Sequence, residues 1–116
     1  MDAFEATRYR GLAARANYLA ADRPDTMYAV KELCRKMSQP NEKDWQACKR
    51  LGRYLIAHPR MVMHFDWQDW PGTLDSWVDT DYAVCKSTRK STSGGLVMLG
   101  SHLLKGWSTT QQRIAL

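Results

Sequence analysis

Residues 76–95 read SWVDTDYAVCKSTRKSTSGG, and they lie just past the point where the periodicity of the chain changes. Through about residue 60, apolar side chains recur every three or four positions; beyond it they recur every second position. In LDSWVDTDYA (74–83) this alternation is strong. Strand side chains two apart share a face, so Asp75, Trp77, Asp79 and Asp81 line one side, and Ser76, Val78, Thr80 and Tyr82 the other. MVMHFDW (61–67) reads as a further strand and DWPG (69–72) as a turn. GLVMLGSHLLKGW (95–107) is two short apolar runs around Gly100-Ser101, the pattern of a hairpin. The second half therefore reads as an antiparallel meander.

Working back from that stretch, the first half reads as helices. TRYRGLAARANYLAA places Tyr9, Leu12, Ala13, Ala16, Leu19 and Ala20 on one stripe. Pro24 suits a first helical turn, with Asp25 favourable at its positive end. Met27, Val30, Leu33/Cys34 and Met37 form the next stripe, which stops at SQPN because Pro40 cannot continue a helix. Asn41 is placed to cap a third helix with Glu42 and Asp44 in its first turn, and its apolar face is Trp45, Cys48, Leu51 and Leu55. Three short amphipathic helices with compact connections suggest a small bundle. The joint between the halves falls around 58–61.

Composition narrows the class. With 116 residues, 44% hydrophobic and 25% charged, the chain is globular rather than disordered. No apolar run approaches the roughly 20 residues that cross a bilayer, and MDAFEATRYR lacks the apolar core of a signal peptide. Three widely spaced cysteines, Cys34, Cys48 and Cys85, suit reduced thiols in an intracellular protein. The expectation is an intracellular location, in cytoplasm or nucleus, without secretion or membrane partner. The net charge of +5 lies in residues 1–60, which hold 12 Lys/Arg against 7 Asp/Glu. In the second half all five acids lie within 66–81 and all five bases within 86–113. A basic surplus favours polyanionic partners, though a solvated helix face carries as much.

Paired carboxylates at the close repeat of a strand repel unless a cation lies between them. Hard ions such as Mg²⁺ or Mn²⁺ take oxygen ligands, which makes Asp79 and Asp81 a candidate metal site. An isolated D-x-D is, on residue types alone, more often the solvated face of a half-buried sheet.

The wider pattern adds context. Val78-Asp79-Thr80-Asp81-Tyr82-Ala83-Val84 followed by Arg89-Lys90-Ser91-Thr92-Ser93-Gly94 resembles the start of the ribonuclease H domain of copia-type retrotransposon polyproteins, approximately S-D-A-D-W-A-G and then R-K-S-T-S-G. The resemblance runs on through Gly95-Leu96-Val97-Met98-Leu99-Gly100 into Trp107-Ser108, Gln111-Gln112 and Ile114-Ala115-Leu116. Upstream it takes in Tyr9-Arg10, Tyr18-Leu19-Ala20, Arg23-Pro24-Asp25, Tyr28-Ala29-Val30, Met37-Ser38, Trp45, Ala47, Lys49-Arg50 and Arg53-Tyr54-Leu55. That upstream part is similar to the end of the family's reverse transcriptase segment. Tyr82 replaces the usual Trp, and Val84-Cys85 stands where a Gly is expected.

What the resemblance implies is specific. Residues 1–59 would be the helical C-terminal part of a reverse transcriptase segment, and 60–116 the N-terminal strands of a ribonuclease H-like domain. The fold expected is α+β: a three-helix segment followed by the antiparallel strands of an incomplete ribonuclease H-like fold. The parent performs reverse transcription and cleaves RNA in RNA–DNA hybrids with two divalent ions held by a few carboxylates. Asp79 matches the first of those ligands, and Asp81 a recurrent position with a supporting role. The family's next element begins S-S-x-E-A-E and supplies a Glu, with further aspartates later; its polymerase centre is a Tyr-x-Asp-Asp hairpin. Neither occurs here. The chain is therefore expected to be an interior fragment that does not catalyse alone and holds no ion tightly. Its expected partners are RNA–DNA hybrid or other nucleic acid and the rest of the polyprotein. The alternatives are a small non-catalytic nucleic-acid-binding module or a structural remnant.

Other residues carry weaker expectations. Lys86, Arg89 and Lys90, among Ser and Thr, are candidate contacts to a phosphate backbone, or simply a solvated loop. Lys49, Arg50 and Arg53 fit a solvated helix face better than a nucleic-acid track. Trp67, Trp70, Trp77 and Trp107 offer stacking surfaces, but such residues more often fill a core, Trp107 above all. His58, His64 and His102 have no zinc-site spacing with the cysteines.

Overall fold

The structure is a computed structural model that describes residues 1–83 and 88–114. Its described elements run α1 (Ala3–Ala20), a 3₁₀ turn (Pro24–Thr26), α2 (Met27–Cys34), α3 (Glu42–Ala57), β1 (Asp75–Asp81), β2 (Lys90–Leu99) and β3 (His102–Ile114). The chain divides into two compact units, Met1–Met61 and Val62–Leu116. The class is α+β, with three α-helices and a three-stranded antiparallel sheet among the described residues.

Helices α1 and α3 start where the sequence supplies a side-chain partner for the first unpaired N–H groups. Asp2 and Glu5 form a capping box at α1: the Asp2 carboxylate accepts from the Glu5 N–H at 2.7 Å, and Glu5 accepts from the Asp2 N–H at 3.2 Å. Asn41 and Asp44 repeat the device at α3, at 3.2 Å and 2.9 Å. Proline sets the 3₁₀ turn, and α2 continues directly from it. Tyr9, Ala13, Ala20, Val30, Leu33 and Leu51 make the core of this unit, with Ala16, Met27, Cys34, Met37, Trp45, Cys48 and Leu55 packed around it. Leu12 and Leu19, expected on the α1 stripe, sit at its exposed margin. The buried Tyr9 hydroxyl donates to the Leu33 carbonyl at 2.8 Å, which ties α1 to α2 through a satisfied polar atom.

In the second unit the sheet order is β1-β2-β3, so β2 is central. β1 pairs with β2 so that Asp79 stands opposite Gly94 and Asp81 opposite Thr92. β2 and β3 form the hairpin expected around Gly100-Ser101, with Gly100 in the left-handed region at φ 59°. Gln68 clamps that turn. Its amide donates to the Leu99 carbonyl at 2.7 Å, and its oxygen accepts from the Ser101 N–H at 2.9 Å and the Ser101 hydroxyl at 3.1 Å.

One expectation fails. Residues 61–67 alternate like a strand but adopt no regular structure. A strand needs a neighbouring backbone to pair with, and this segment meets the sheet through single groups instead: the Gln68 amide just beyond it and the Asp66 carbonyl, which lies 2.6 Å from His102 Nε2.

Candidate functional site

The two aspartates lie on one face of β1, as their spacing requires, in a strand whose seven residues are all exposed. Asp79 is exposed, and its Oδ1 accepts from the Thr80 N–H at 2.9 Å. Across the ladder the same face carries Gly94 and Thr92 on β2, then Ser108 and Thr110 on β3. Glycine opposite Asp79 sets no side chain across the ladder from it, and the neighbouring described positions Thr92, Ser108 and Thr110 carry hydroxyls. Thr92 is buried, and the buried Thr110 hydroxyl has no hydrogen-bond partner among the described residues.

This donor set bears directly on metal binding. Among the described residues no group of three or more His, Cys, Asp or Glu side chains converges to hold an ion. Two solvent-facing carboxylates suit a single hard cation that completes its shell with water and phosphate oxygens. They are too few for a two-ion centre.

Beyond β1 the backbone turns sharply. Ala83 takes φ 48°, and its N–H donates to the buried Ser91 side chain at 3.0 Å. Of the expected basic contacts, Arg89 is exposed in the left-handed region at φ 55°, and Lys90 is half-buried as the first residue of β2. Lys86 lies outside the described residues, as does Cys85. Cys34 and Cys48 are free thiols, and burial raises the pKa of both. His58 ends α3 and its ring lies against Tyr54, while His102 faces Phe65. The tryptophans divide. Trp107 is half-buried over Gly95, whereas Trp67, Trp70 and Trp77 are 86%, 80% and 66% exposed and fill no core.

Comparison with known proteins places the whole chain in context. It is 38% identical over 92% of its length to the retrovirus-related Pol polyprotein from transposon RE1 of Arabidopsis thaliana, and 36% identical over 92% to that from transposon RE2 of the same plant. It is also 33% identical over 84% of its length to the secreted RxLR effector protein 161 of Plasmopara viticola, covering 68% of that protein. The chain is thus similar to a segment of retrotransposon Pol polyproteins. It spans 7% of the length of each of the RE1 and RE2 Pol polyproteins. No protein-family profile matches the chain, and no solved structure matches it.

The helical unit contains two arrangements that the sequence alone does not announce. Arg23, only 6% exposed, grips Asp25 with Nε and Nη2 at 3.0 Å and 2.8 Å, and Nη2 also donates to the His58 carbonyl at 2.9 Å. The Tyr54 hydroxyl donates to the same carboxylate at 2.8 Å. The guanidinium bonds, with the Tyr54 hydroxyl, hold the Asp25 pKa at about 2, and the carboxylate in turn raises that of Arg23. Arg23 and Asp25 were legible as a charged turn, but Tyr54 lies 29 positions further on. The second arrangement joins Arg8, Trp45 and Lys49. Lys49 Nζ lies 5.6 Å from the Trp45 ring centroid and Arg8 Cζ 5.8 Å from it. Arg8 comes from the opposite helix, so no spacing along α3 announces it.

Proposed function

We propose that this chain is a segment of a retrotransposon Pol polyprotein joining the helical end of a reverse transcriptase, residues 1–59, to the first strands of a ribonuclease H-like domain, residues 60–116. The observation that carries this reading is the β1–β2 ladder, which holds Asp79 and Asp81 together on one open face against Gly94 and Thr92 of the Arg89–Gly94 motif. In the complete domain Asp79 would hold a Mg²⁺ or Mn²⁺ ion, with Asp81 in support. The ion would supply Lewis acidity for hydrolysis of the RNA strand. The residues of this chain fix the first carboxylate on a rigid strand, set glycine across the ladder from it, and offer Arg89 and Lys90, with Lys86, to the phosphate backbone of a hybrid. Two carboxylates do not assemble that centre alone, so the isolated chain lacks nuclease activity.

The test is a chain extended with the remaining carboxylate-bearing part of a Pol ribonuclease H domain. The extended protein is expected to cleave the RNA strand of a hybrid in Mg²⁺-dependent fashion. Asp79→Asn should abolish cleavage, and Asp81→Asn should weaken it. Undiminished cleavage by the Asp79→Asn protein, or comparable cleavage by the unextended chain, would defeat the reading.

A further inference from the structure

We propose that Arg8, Trp45 and Lys49 form a seat for a phosphate group at the mouth of the groove between α1 and α3. The groove has a volume of about 520 Å³, and these three side chains line it together with Glu5, Leu12 and Ala16. The seat lies in the helical unit and is independent of the carboxylates on β1.

Several cations of this unit are already occupied. Arg23 is committed to Asp25, Lys31 and Arg35 to Glu32, and Arg10 donates to the carbonyls of Met37 and Ser38. Arg8 and Lys49 are exposed, and among the described residues neither enters an ion pair. They converge from two helices on one indole, at 5.8 Å and 5.6 Å from its centroid. The single acid on the groove, Glu5, is tied back to the Asp2 N–H at the start of α1. Two positive groups therefore face one recess whose one lining acid, Glu5, is held by the Asp2 N–H and forms no ion pair with either among the described residues. A cation resting on an indole gains only about 0.5–1 kcal/mol at an exposed site and keeps its N–H donors available.

Phosphate fits this arrangement by chemistry. The guanidinium fork binds two phosphate oxygens in parallel, and the ammonium adds a point charge from the other side. Leu12 and Ala16 give the body attached to the phosphate an apolar wall. The same chemistry belongs to a free phosphate ester and to a nucleic-acid backbone.

The experiment follows the Trp45 indole N–H by NMR in the full chain, its signal assigned by loss in Trp45→Phe, while inorganic phosphate is added. A saturable shift is expected, and Arg8→Gln and Lys49→Gln should each weaken it about tenfold. Arg53→Gln removes an equal charge from α3 outside the groove and should leave it unchanged. All three side chains are exposed, so helical circular dichroism should be retained. Displacement of phosphate by a short oligothymidylate, but not by AMP, identifies a backbone phosphodiester as the occupant. The reverse identifies a free ester. A shift that never saturates, or one that Arg53→Gln weakens as much as Arg8→Gln does, overturns the seat and leaves diffuse basic charge.

Discussion

At Gly95 the side chain is a hydrogen because the space beyond it is taken. A Cβ there would enter the Trp107 ring and stand 2.7 Å from the Trp77 carbonyl oxygen. The carbonyl belongs to a paired strand and cannot step aside cheaply. Gly95→Ala is expected to destabilise the sheet by about 1–3 kcal/mol, the usual range for overpacking. Denaturant unfolding followed by tryptophan emission would show this, and unchanged stability would mean the sheet is looser than its geometry. Asp25 makes a second prediction at this scale. Its folded pKa, about 2, lies below the ordinary aspartate value of 3.8, because the Arg23 guanidinium and the Tyr54 hydroxyl bond the ionised carboxylate, so folding favours the ionised form. The stabilisation is fully present above pH 3.8 and is lost as the pH falls towards 2. At 1.36 kcal/mol per unit, and discounted because the carboxylate is partly solvated, the loss is about 1–2 kcal/mol. Helical stability by circular dichroism should therefore fall between pH 4 and 2 in the parent. In Asp25→Asn the deficit should be present at pH 6 and vanish near pH 2.

At the scale of elements, legibility followed the range of the interactions. The start of α3 was readable because Asn41 and Asp44 act within one turn. The β2–β3 hairpin was readable because Gly100 marks the turn at which the chain reverses. The pairing of Asp79 and Asp81 on one face followed from the strand period alone. What escaped depends on residues far apart in sequence. Alternation at 61–67 signals two unlike faces but cannot say whether a partner backbone is alongside, and here the segment pairs with none. The residue that connects this region to the sheet, Gln68, was invisible because its partners lie 31 and 33 positions away. Its three hydrogen bonds to Leu99 and Ser101 predict that Gln68→Ala frees the hairpin turn. The expected loss is about 1–2 kcal/mol, with the Ser101 amide exchanging faster with solvent while the α2 amides do not change. Equal exchange at Ser101 in both proteins would remove Gln68 from this role.

Across the whole molecule, apolar burial is unevenly shared. Every buried hydrophobic residue of the described core belongs to the helical unit, whereas the buried residues described in the sheet unit are Ser91 and Thr92. That unit instead exposes Val62, Phe65, Trp67, Trp70, Leu74, Trp77 and Val78, each at 54% or more. Three paired strands with no buried hydrophobic side chain among the described residues sit at the lower limit of independent stability. β1 is also an edge strand, and among the described residues no strand pairs with its outer side. An exposed edge with apolar neighbours promotes association with other chains. The full chain should therefore self-associate as its concentration rises, measurable as a weight-average mass climbing above 13.3 kDa in sedimentation equilibrium. Val78→Lys puts a charge into the edge strand, at an exposed position facing away from Asp79, and should shift the chain towards monomer. The helical unit, with its own core, should keep its circular dichroism in that variant. A monomer at all concentrations in the parent would show that the sheet unit is self-sufficient despite its exposed aromatics. Association unaffected by Val78→Lys would move the contact from the β1 edge to the aromatic segment before it.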